Sequence, residues 1–314
     1  MKLINNKSHQ IDFNLRTYRI LIETLIAKNF QFLTVEQYFL PPRFLTKSPS
    51  RSLIIMRHDV DRKPENALRM AILENKLGVK STYYFRTIPQ TLKPGIIREV
   101  ASLGHEIGYH YENLCDAEIF MKNENPVKYS RSSNFTGQEC NPPSSQFLGL
   151  RRTRMKNTEK YKEKLFDLAI RDFEKNLSKL REIVPIKNIA MHGRPTSKWD
   201  SRLLWDKYNY KNYGITSEPY FDIDFNEVLY ITDAGRSWNN ENINLRDKVV
   251  SKFNFSFNHT EEIISAISQN KLPDKIMINI HPEHWAGLVN EWYKIWIMRK
   301  IKNTIKNIIL RGRS

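Results

Sequence analysis

A chain of 314 residues with 40% apolar and 11% aromatic side chains has the composition of a globular protein, not a disordered one, and can bury a full core. Its 50 basic and 34 acidic residues give a net charge of +16, but no recognisable nucleic-acid-binding module accompanies the excess, so we expect no specific nucleic-acid partner. The two cysteines, Cys115 and Cys140, form no CxxC pair, which favours a reducing compartment over a disulfide framework.

The start of the chain and its overall hydropathy predict where it resides. Residues 1–20 contain no continuous apolar stretch followed by a small-residue cleavage site, which argues against a signal peptide. No window of about 18 uncharged apolar residues occurs, which argues against a membrane-spanning helix. We therefore expect a cytoplasmic protein.

The apolar pattern predicts alternating helices and strands along the first 111 residues. A helix at 14–28 begins at Asn14, a residue type that caps helix N-termini. After it the pattern predicts, in order, a strand at 52–56, a helix at 64–78, a strand at 81–86, a helix at 95–104 and a strand at 105–111. This β-α-β-α-β order at short, regular spacing indicates parallel strands with helices outside them.

The second half continues this pattern after one long interruption. Residues 122–160 are rich in Ser, Asn, Pro and basic side chains, and we predict either a lid over the site or a disordered loop. An amphipathic helix at 166–184 follows, and then three apolar runs that end on polar residues, at 188–193, 227–235 and 275–281. Such runs are typical of a barrel or open parallel sheet whose working face lies at the carboxyl ends of the strands.

The stretch IIMRHDVDRKP, residues 54–64, places two carboxylates at the end of a predicted buried strand. Residues i and i+2 of an extended chain point to the same side, so Asp59 and Asp61 can converge while His58 points away. Converging carboxylates repel each other unless a cation or a shared proton compensates. Asp and His suit zinc or a similar divalent ion. Further residues of these types lie at or near the ends of apolar runs: His110, His192, Asp233 and His281.

Several of these residues also have a purely structural interpretation. Asp61 can be a loop or helix-cap residue, and His192 can equally be a hydrogen-bonded turn histidine before a glycine. His105 is predicted to be a structural hydrogen-bonding residue, and His284 to pack or to support the site from behind. Their joint appearance at strand ends favours a common site.

Four motifs, in this order along the chain, resemble the polysaccharide deacetylases of the chitooligosaccharide-deacetylase homology type: RHDVD at 57–61, GHEIGYH at 104–110, HGRP at 192–195 and INIH at 278–281. The resemblance covers roughly residues 50–285, and GHEIGYH is its most specific part. It implies a distorted (β/α) barrel that removes N- or O-acetyl groups from sugars with a divalent metal, usually zinc. Longer strings, such as MHGRPTSKWD and IHPEHW, look like a divergent branch found among surface-polysaccharide biosynthesis genes.

The resemblance also implies a role for individual residues. By position, Asp59 matches the general base and His281 the general acid, while Asp61 and His110 match metal ligands. Arg194 lies in the Arg-x-Pro-like element, where it would orient Asp59 or hold an anionic group of the substrate.

One position departs from the family. The second metal histidine, four residues after the first, is replaced by Leu114. The site then needs a substitute ligand, and we predict His192 because it ends its own strand. Glu112 is the alternative because it shares the side of His110 on the strand.

Other polar and aromatic residues have supporting roles in this hypothesis. Asp233 and Asp247 are candidates for fixing the tautomer of a histidine. Trp238 and Trp285 either stack on sugar rings or pack in the core. We count Glu112, Asp233 and the two tryptophans as candidate substrate-site residues.

The sequence predicts three parts: an N-terminal helical lead-in at 1–45, a single deacetylase-like barrel domain at 46–290 with an insertion at about 120–160, and a basic amphipathic helix at 291–314. That last helix resembles one that lies on anionic lipid, although an ordinary terminal helix with a solvated basic face fits too. We expect a metal-dependent hydrolase acting on an acetylated sugar or glycan precursor in surface-polysaccharide biosynthesis. The alternative is a carbohydrate-binding barrel that lacks a full metal site.

Overall fold

The computed structural model describes the backbone of residues 12–40, 52–124, 144–194, 197–238, 247–287 and 290–298, together with residues 301 and 304. Side chains are described for the same ranges except 124 and 144–158. The predictions that concern residues 1–11, 41–51, 125–143 and 305–314 lie outside the described residues.

Seven strands and ten α-helices are defined within these ranges. The strands are β1 (Gln31–Leu33), β2 (Leu53–Val60), β3 (Thr82–Phe85), β4 (Glu106–Tyr111), β5 (Ile189–Met191), β6 (Leu229–Thr232) and β7 (Lys275–Ile280). The first five helices are α1 (Leu15–Ala27), α2 (Val35–Tyr38), α3 (Pro64–Lys76), α4 (Pro94–Ser102) and α5 (Asn113–Glu124). The others are α6 (Ser144–Arg181), α7 (Leu204–Lys207), α8 (Pro219–Asp222), α9 (Thr260–Ser268) and α10 (290–298).

All strand pairs of the sheet are parallel, in the order β5-β4-β3-β2-β7-β6. The short strand β1 pairs with the first half of β2, and β3 pairs with its second half. The six strands predicted from apolar runs are confirmed, since each matches one strand of this sheet. Because the strands are parallel, their carboxyl ends lie along one edge, where polar residues from distant parts of the chain can meet.

The sheet curls around its inner face. One apolar cluster on that face joins Ile55 of β2, Tyr84 of β3, Ala190 of β5 and Met277 of β7, which are spread across most of the sheet. The opposite face carries two separate clusters, which pack under helices that include α1 and α9 on one side and α6 on the other. A curled parallel sheet with helices outside is the predicted α/β fold class, a distorted (β/α) barrel.

Alternation along the strands decides which side chains enter the barrel. In β2, Ile54 and Met56 belong to an outer cluster and Ile55 to the inner one. By the same alternation, Arg57 and Asp59 point inward while His58 points outward. The inner face therefore becomes polar toward the carboxyl ends of the strands.

Gly108 of the GHEIGYH motif is required by packing on the inner face. A Cβ atom at this position would lie 2.4 Å from the ring of Tyr84 and 2.4 Å from Oδ1 of Asn188. Real Cβ atoms do not approach other heavy atoms so closely, so a side chain here would force β3 and β4 apart.

Two regions differ from the sequence prediction. The segment at 1–45 contributes a strand to the sheet as well as helix α1, and a Thr34–Gln37 capping box starts α2 directly after β1. Residues 144–160, which we predicted to lie in the insertion, form the first turns of α6. Across the described residues, no helix is both long enough and apolar enough to cross a membrane.

Candidate metal and catalytic site

The carboxyl edge of the sheet gathers most of the predicted site residues. Asp59 is the penultimate residue of β2, and His110 is that of β4. Asp61, His192, Asp233 and His281 each follow the last residue of a strand directly. The β-α-β connections therefore bring together residues that are up to 222 positions apart in the sequence.

The three predicted metal ligands lie together. The donor atoms of Asp61, His110 and His192 are all within 4.8 Å of one another. Oδ1 of Asp61 is 3.3 Å from Nε2 of His110, and Oδ2 is 3.3 Å from Nε2 of His192. One carboxylate thus faces two imidazole nitrogens.

The second nitrogen of each imidazole is fixed from behind. Nδ1–H of His110 donates to the carbonyl oxygen of Ala190 at 2.9 Å, and Nδ1–H of His192 donates to Oε2 of Glu112 at 3.0 Å. With Nδ1 protonated, Nε2 of the neutral ring carries the lone pair that a metal ion needs. Both lone pairs point toward Asp61.

Charge interactions at this cluster are strong. Burial disfavours the charged form of His192, but Asp61 and Glu112 outweigh it and raise its pKa to about 9. Burial raises the pKa of Asp61, but the interactions with His192 and His110 outweigh burial and hold that pKa well below its ordinary value. Without a metal ion, a proton on His192 therefore compensates the negative charge of Asp61.

The cluster fits a divalent ion on its own geometry. Oδ1 of Asp61 is buried and accepts no hydrogen bond from the described residues, so one ligand atom is directed into the cluster without a donor of its own. Two imidazole nitrogens and one carboxylate are a donor set that zinc and other first-row divalent ions bind. Leu114, where the family has a histidine, is fully buried in the apolar core, and His192 lies where a third ligand is needed.

The predicted base, Asp59, is held by a residue that sequence reasoning missed. Arg57 donates from Nε to Oδ1 and from Nη2 to Oδ2, both at 2.8 Å. Asn279 of β7 adds a hydrogen bond to Oδ2 at 3.0 Å. Burial raises the pKa of Asp59, but the positive charges of Arg57, His110 and His281 outweigh burial and keep it below the ordinary value. The i, i+2 spacing of Arg57 and Asp59 was the available signal.

Arg57 itself is rigidly packed. Its side chain is fully buried, and its guanidinium lies 5.2 Å from the ring centre of Tyr84 and 5.0 Å from that of Tyr220. A planar guanidinium between two aromatic rings has few alternative orientations. Arg57 therefore fixes the direction of the Asp59 carboxylate.

The predicted acid, His281, forms a dyad with Asp233. Nδ1–H of His281 donates to Oδ1 of Asp233 at 2.7 Å, and the backbone N–H of His281 donates to the same oxygen at 2.9 Å. Burial lowers the pKa of His281, but Asp233 together with Asp61 and Asp59 outweighs burial and raises it to about 10. The ring is therefore protonated at neutral pH. Asp233 thus has the role of fixing a histidine, which the sequence had indicated as one of its options.

The group formed by Asp233, His281 and His284 is also compact enough for a metal ion. Its carboxylate, however, is already used: Oδ1 accepts two hydrogen bonds from His281, and Oδ2 accepts one from Nε1 of Trp285 at 2.7 Å. His284 stacks on His281 with ring centres 5.4 Å apart. This group supports the acid from behind, as predicted for His284.

Two site predictions require correction. Arg194 does not contact Asp59, because its Nη2 pairs with Glu112 at 2.7 Å and with Asp116 at 3.0 Å. Glu112 also accepts from Arg86 and from His192, so its carboxylate is an outer support of His192 and not the third ligand. These charges lower the pKa of Glu112 to about 2 in spite of burial.

The two tryptophans are packing residues and not sugar platforms. Trp285 is 1% exposed and Trp238 8%, so neither presents an open ring face. Trp238 instead stacks on Phe13 and donates to Thr260 at 2.9 Å. Asp247, proposed to fix a histidine, accepts hydrogen bonds from three hydroxyl groups instead: those of Tyr220, Tyr230 and Thr232.

The fold and the site together define an α/β barrel with an Asp–His cluster at the carboxyl edge of its sheet. No family model matches the chain. No curated protein matches it either. Among solved structures, a crystal structure of a mutant CE4 family pseudoenzyme with restored enzymatic activity is similar at 8% identity and a TM-score of 0.37, over 83% of this chain and 65% of the other. The chain spans less than two thirds of that protein, and a likeness this distant assigns neither family nor activity.

Proposed function

We propose that the protein is a metal-dependent hydrolase that removes an acetyl group from a sugar or glycan precursor. One observation carries the proposal: an aspartate paired with Arg57, three metal-type ligands within 4.8 Å of one another and a histidine paired with Asp233 meet at one edge of the barrel. Carbohydrate binding alone requires none of these three groups. The order of the four sequence motifs, which resembles the polysaccharide deacetylases, supports the acetylated sugar as substrate.

Asp61, His110 and His192 would hold the ion, for which zinc is the best fit to a nitrogen-rich donor set. When bound, such an ion polarises an acyl carbonyl and makes water a better nucleophile. Binding has to displace the Nε2 proton that charged His192 carries toward Asp61, whereas the Nδ1 proton stays in its hydrogen bond to Glu112, so metal affinity should rise with pH. Glu112, Arg86 and Arg194 keep the ring of His192 in place during this exchange.

Asp59 accepts the proton of the attacking water. Its Oδ2 lies 3.6 Å from Nε2 of the ligand His110, so base and ligands are adjacent. Arg57 and Asn279 fix the carboxylate and keep it ionised, although they also weaken it as a base. The repulsion between the two converging carboxylates is offset because Arg57 compensates the charge of Asp59 and the imidazoles of His110 and His192 compensate that of Asp61.

His281 donates a proton to the departing amine or alkoxide. Asp233 occupies its Nδ1 and leaves Nε2 as the nitrogen that can reach a substrate. A positioned acid of this kind typically contributes about 10²–10⁴-fold to the rate. A surface-polysaccharide precursor is the substrate class that the sequence strings favour.

Release of acetate from N-acetylated and O-acetylated oligosaccharides tests the proposal. We expect release by the zinc-loaded protein and a loss of about 10²–10⁴-fold in the His281→Gln variant. His259→Gln is the matched control, because the side chain of His259 is 70% exposed. A folded protein that binds no zinc and releases no acetate but retains acetylated sugars would instead support the carbohydrate-binding alternative.

A further inference from the structure

Helix α10 has one side attached to the barrel and one side exposed. Ile295 is 8% exposed, whereas Tyr293, Ile297 and Ile301 are each about half exposed, at 52%, 49% and 50%. Residues spaced by four lie on the same side of a helix, and Ile295, two positions from both Tyr293 and Ile297, lies on the opposite side. Trp296, 36% exposed, stacks on Trp292 with ring centres 6.0 Å apart and lies at the border of the exposed side, three positions from Tyr293. The exposed side is therefore apolar and aromatic.

Specific contacts attach the inner side. Nε1 of Trp292 donates to the backbone oxygen of Asp12 at 2.5 Å, and the guanidinium of Arg236 lies 4.7 Å from a ring centre of the same tryptophan. At the start of the helix, Glu291 pairs with Arg69 at 3.1 Å. The orientation of the helix is thus set by the barrel, and its apolar side is turned away from the core.

The charge of this segment identifies the partner that the apolar side fits. From Lys294 to Ser314 the sequence has seven basic residues and no acidic residue. An anionic bilayer accounts for both features, the exposed apolar side chains and the basic charge. Aromatic and aliphatic side chains enter the headgroup boundary, and lysine and arginine bind the anionic lipid headgroups.

We propose that α10 and the basic segment after it bind the surface of an anionic lipid bilayer. Tyr293, Trp296, Ile297 and Ile301 enter the interface, and the basic residues bind the headgroups. Glu291 also lies 3.8 Å from Lys63, two residues after Asp61, so the helix begins beside the loop that carries the site. Bilayer binding then holds the site near membrane-attached glycan precursors, a consequence that rests on the proposed function.

Vesicle flotation of the full chain tests the proposal. We expect the protein to float with vesicles of phosphatidylserine and phosphatidylcholine and not with phosphatidylcholine alone, and added salt to release it. The double variants Trp296→Ser/Ile297→Ser and Lys294→Glu/Lys302→Glu should each weaken binding by about tenfold or more. Neither pair belongs to the catalytic site, so acetate release from a soluble oligosaccharide should be unchanged.

Matched variants elsewhere on the protein test whether any loss of exposed apolar side chains, or any loss of positive charge, reduces vesicle binding. Phe221→Ser/Val250→Ser removes two exposed apolar side chains, and Lys211→Glu/Lys271→Glu makes the same change in net charge away from α10. Both should float like the original chain. Three results would overturn the proposal: all four variants float equally well, the protein binds only neutral vesicles, or it self-associates through α10 without binding vesicles. Flotation without any acetate release would overturn the proposed function and leave the lipid inference standing.

Discussion

Adjacent residues of β2 enter two histidine–carboxylate clusters on opposite faces of the sheet. Asp59 points inward to the site of Asp61, His110 and His192, whereas His58 points outward to Glu74 of α3. The outer cluster is closed. His58 and Glu74 have fully buried side chains 2.7 Å apart, and Glu74 also accepts from the hydroxyls of Tyr18 and Tyr83.

His105, which lies 3.5 Å from Glu74 in the outer cluster, differs from the inner histidines in where its lone pair goes. In the outer cluster, Nδ1 of His105 accepts from the backbone N–H of Ser81, and its Nε2–H donates to Ala71, so the ring has no lone pair left. In the inner cluster both Nε2 atoms face one carboxylate that is 19% exposed. Identical residue types thus build a structural network on one face and the candidate metal site on the other, and the two differ in accessibility and ring orientation.

The largest expected effect on activity comes from Asp59→Asn. The amide is nearly isosteric but cannot accept the proton of the attacking water, so we expect a loss of about 10²–10⁴-fold in kcat. Bound metal should be unchanged, because Asp59 is outside the group of three ligands. Steady-state acetate release and metal content measured on the same sample check this. Loss of metal together with activity would show that Asp59 is a ligand.

For Arg57→Lys we expect a smaller loss of activity, about 10–100-fold. This is the range typical of residues that hydrogen-bond to the side chains of a metal site. Lysine keeps a positive charge but cannot form the two parallel hydrogen bonds to Asp59. Because Arg57 lowers the pKa of Asp59, its replacement should raise that pKa and move the acidic limb of the pH–rate profile to higher pH. A reduced rate with an unmoved acidic limb would mean a structural effect alone. Arg19→Lys, in the exposed ion pair with Glu23, is the matched control.

Glu112→Gln should lower metal affinity more than it lowers the catalytic rate at saturating metal. The amide can still accept from Nδ1–H of His192 but removes the negative charge behind the ring, so zinc affinity should fall about 10-fold. Competition with a chromophoric chelator measures this affinity. Saturating zinc should restore most of the rate, and a rate that zinc does not restore would place Glu112 in the chemical step instead.

Glu74→Gln, in the outer cluster, should leave activity and metal content unchanged and reduce stability. Burial raises the pKa of Glu74, but His58 and other partners outweigh it and lower the pKa to about 2 from an ordinary 4.5. A carboxyl group with a lowered pKa stabilises the folded state at pH values above its ordinary pKa of 4.5, here by at most about 3 kcal/mol. This stabilisation is lost as the pH falls through about 2. Denaturant unfolding should therefore show a penalty near pH 7 that shrinks below pH 4.5. A penalty that does not vary with pH would exclude the charge effect.

Much of the fold followed from the sequence because apolar runs of a parallel sheet are easy to detect. The six runs predicted as strands match β2 to β7, and the Asn14 cap of α1 is confirmed, since its side chain accepts from Thr17 N–H. Strand β1 has only three residues, and the short helices α7 and α8 have four each, so their periodicity is too brief to detect. The start of α6 was missed because Ser, Asn and basic residues are compatible with both loop and helix.

The sequence predicted which metal-type residues lie together better than it predicted the residues that contact them. Asp61, His110 and His192 lie at or near the ends of apolar runs, a pattern that the sequence alone reveals. The ion pairs of Arg194 with Glu112 and Asp116 depend on side-chain directions that no spacing rule supplies across distant segments. Trp238 and Trp285 illustrate the same limit, because exposure of an aromatic residue cannot be read from its neighbours in sequence.

Metal content tests the central claim most directly. The purified chain, incubated with zinc and freed of the excess, should contain about one ion by plasma mass spectrometry, because the three ligands converge on one point. Folded Asp61→Ala, His110→Ala and His192→Ala variants should each lose it, and the exposed His259→Ala control should keep it. A wild-type chain that binds no ion, or ligand variants that retain it in full, would contradict the metal site and with it the hydrolase.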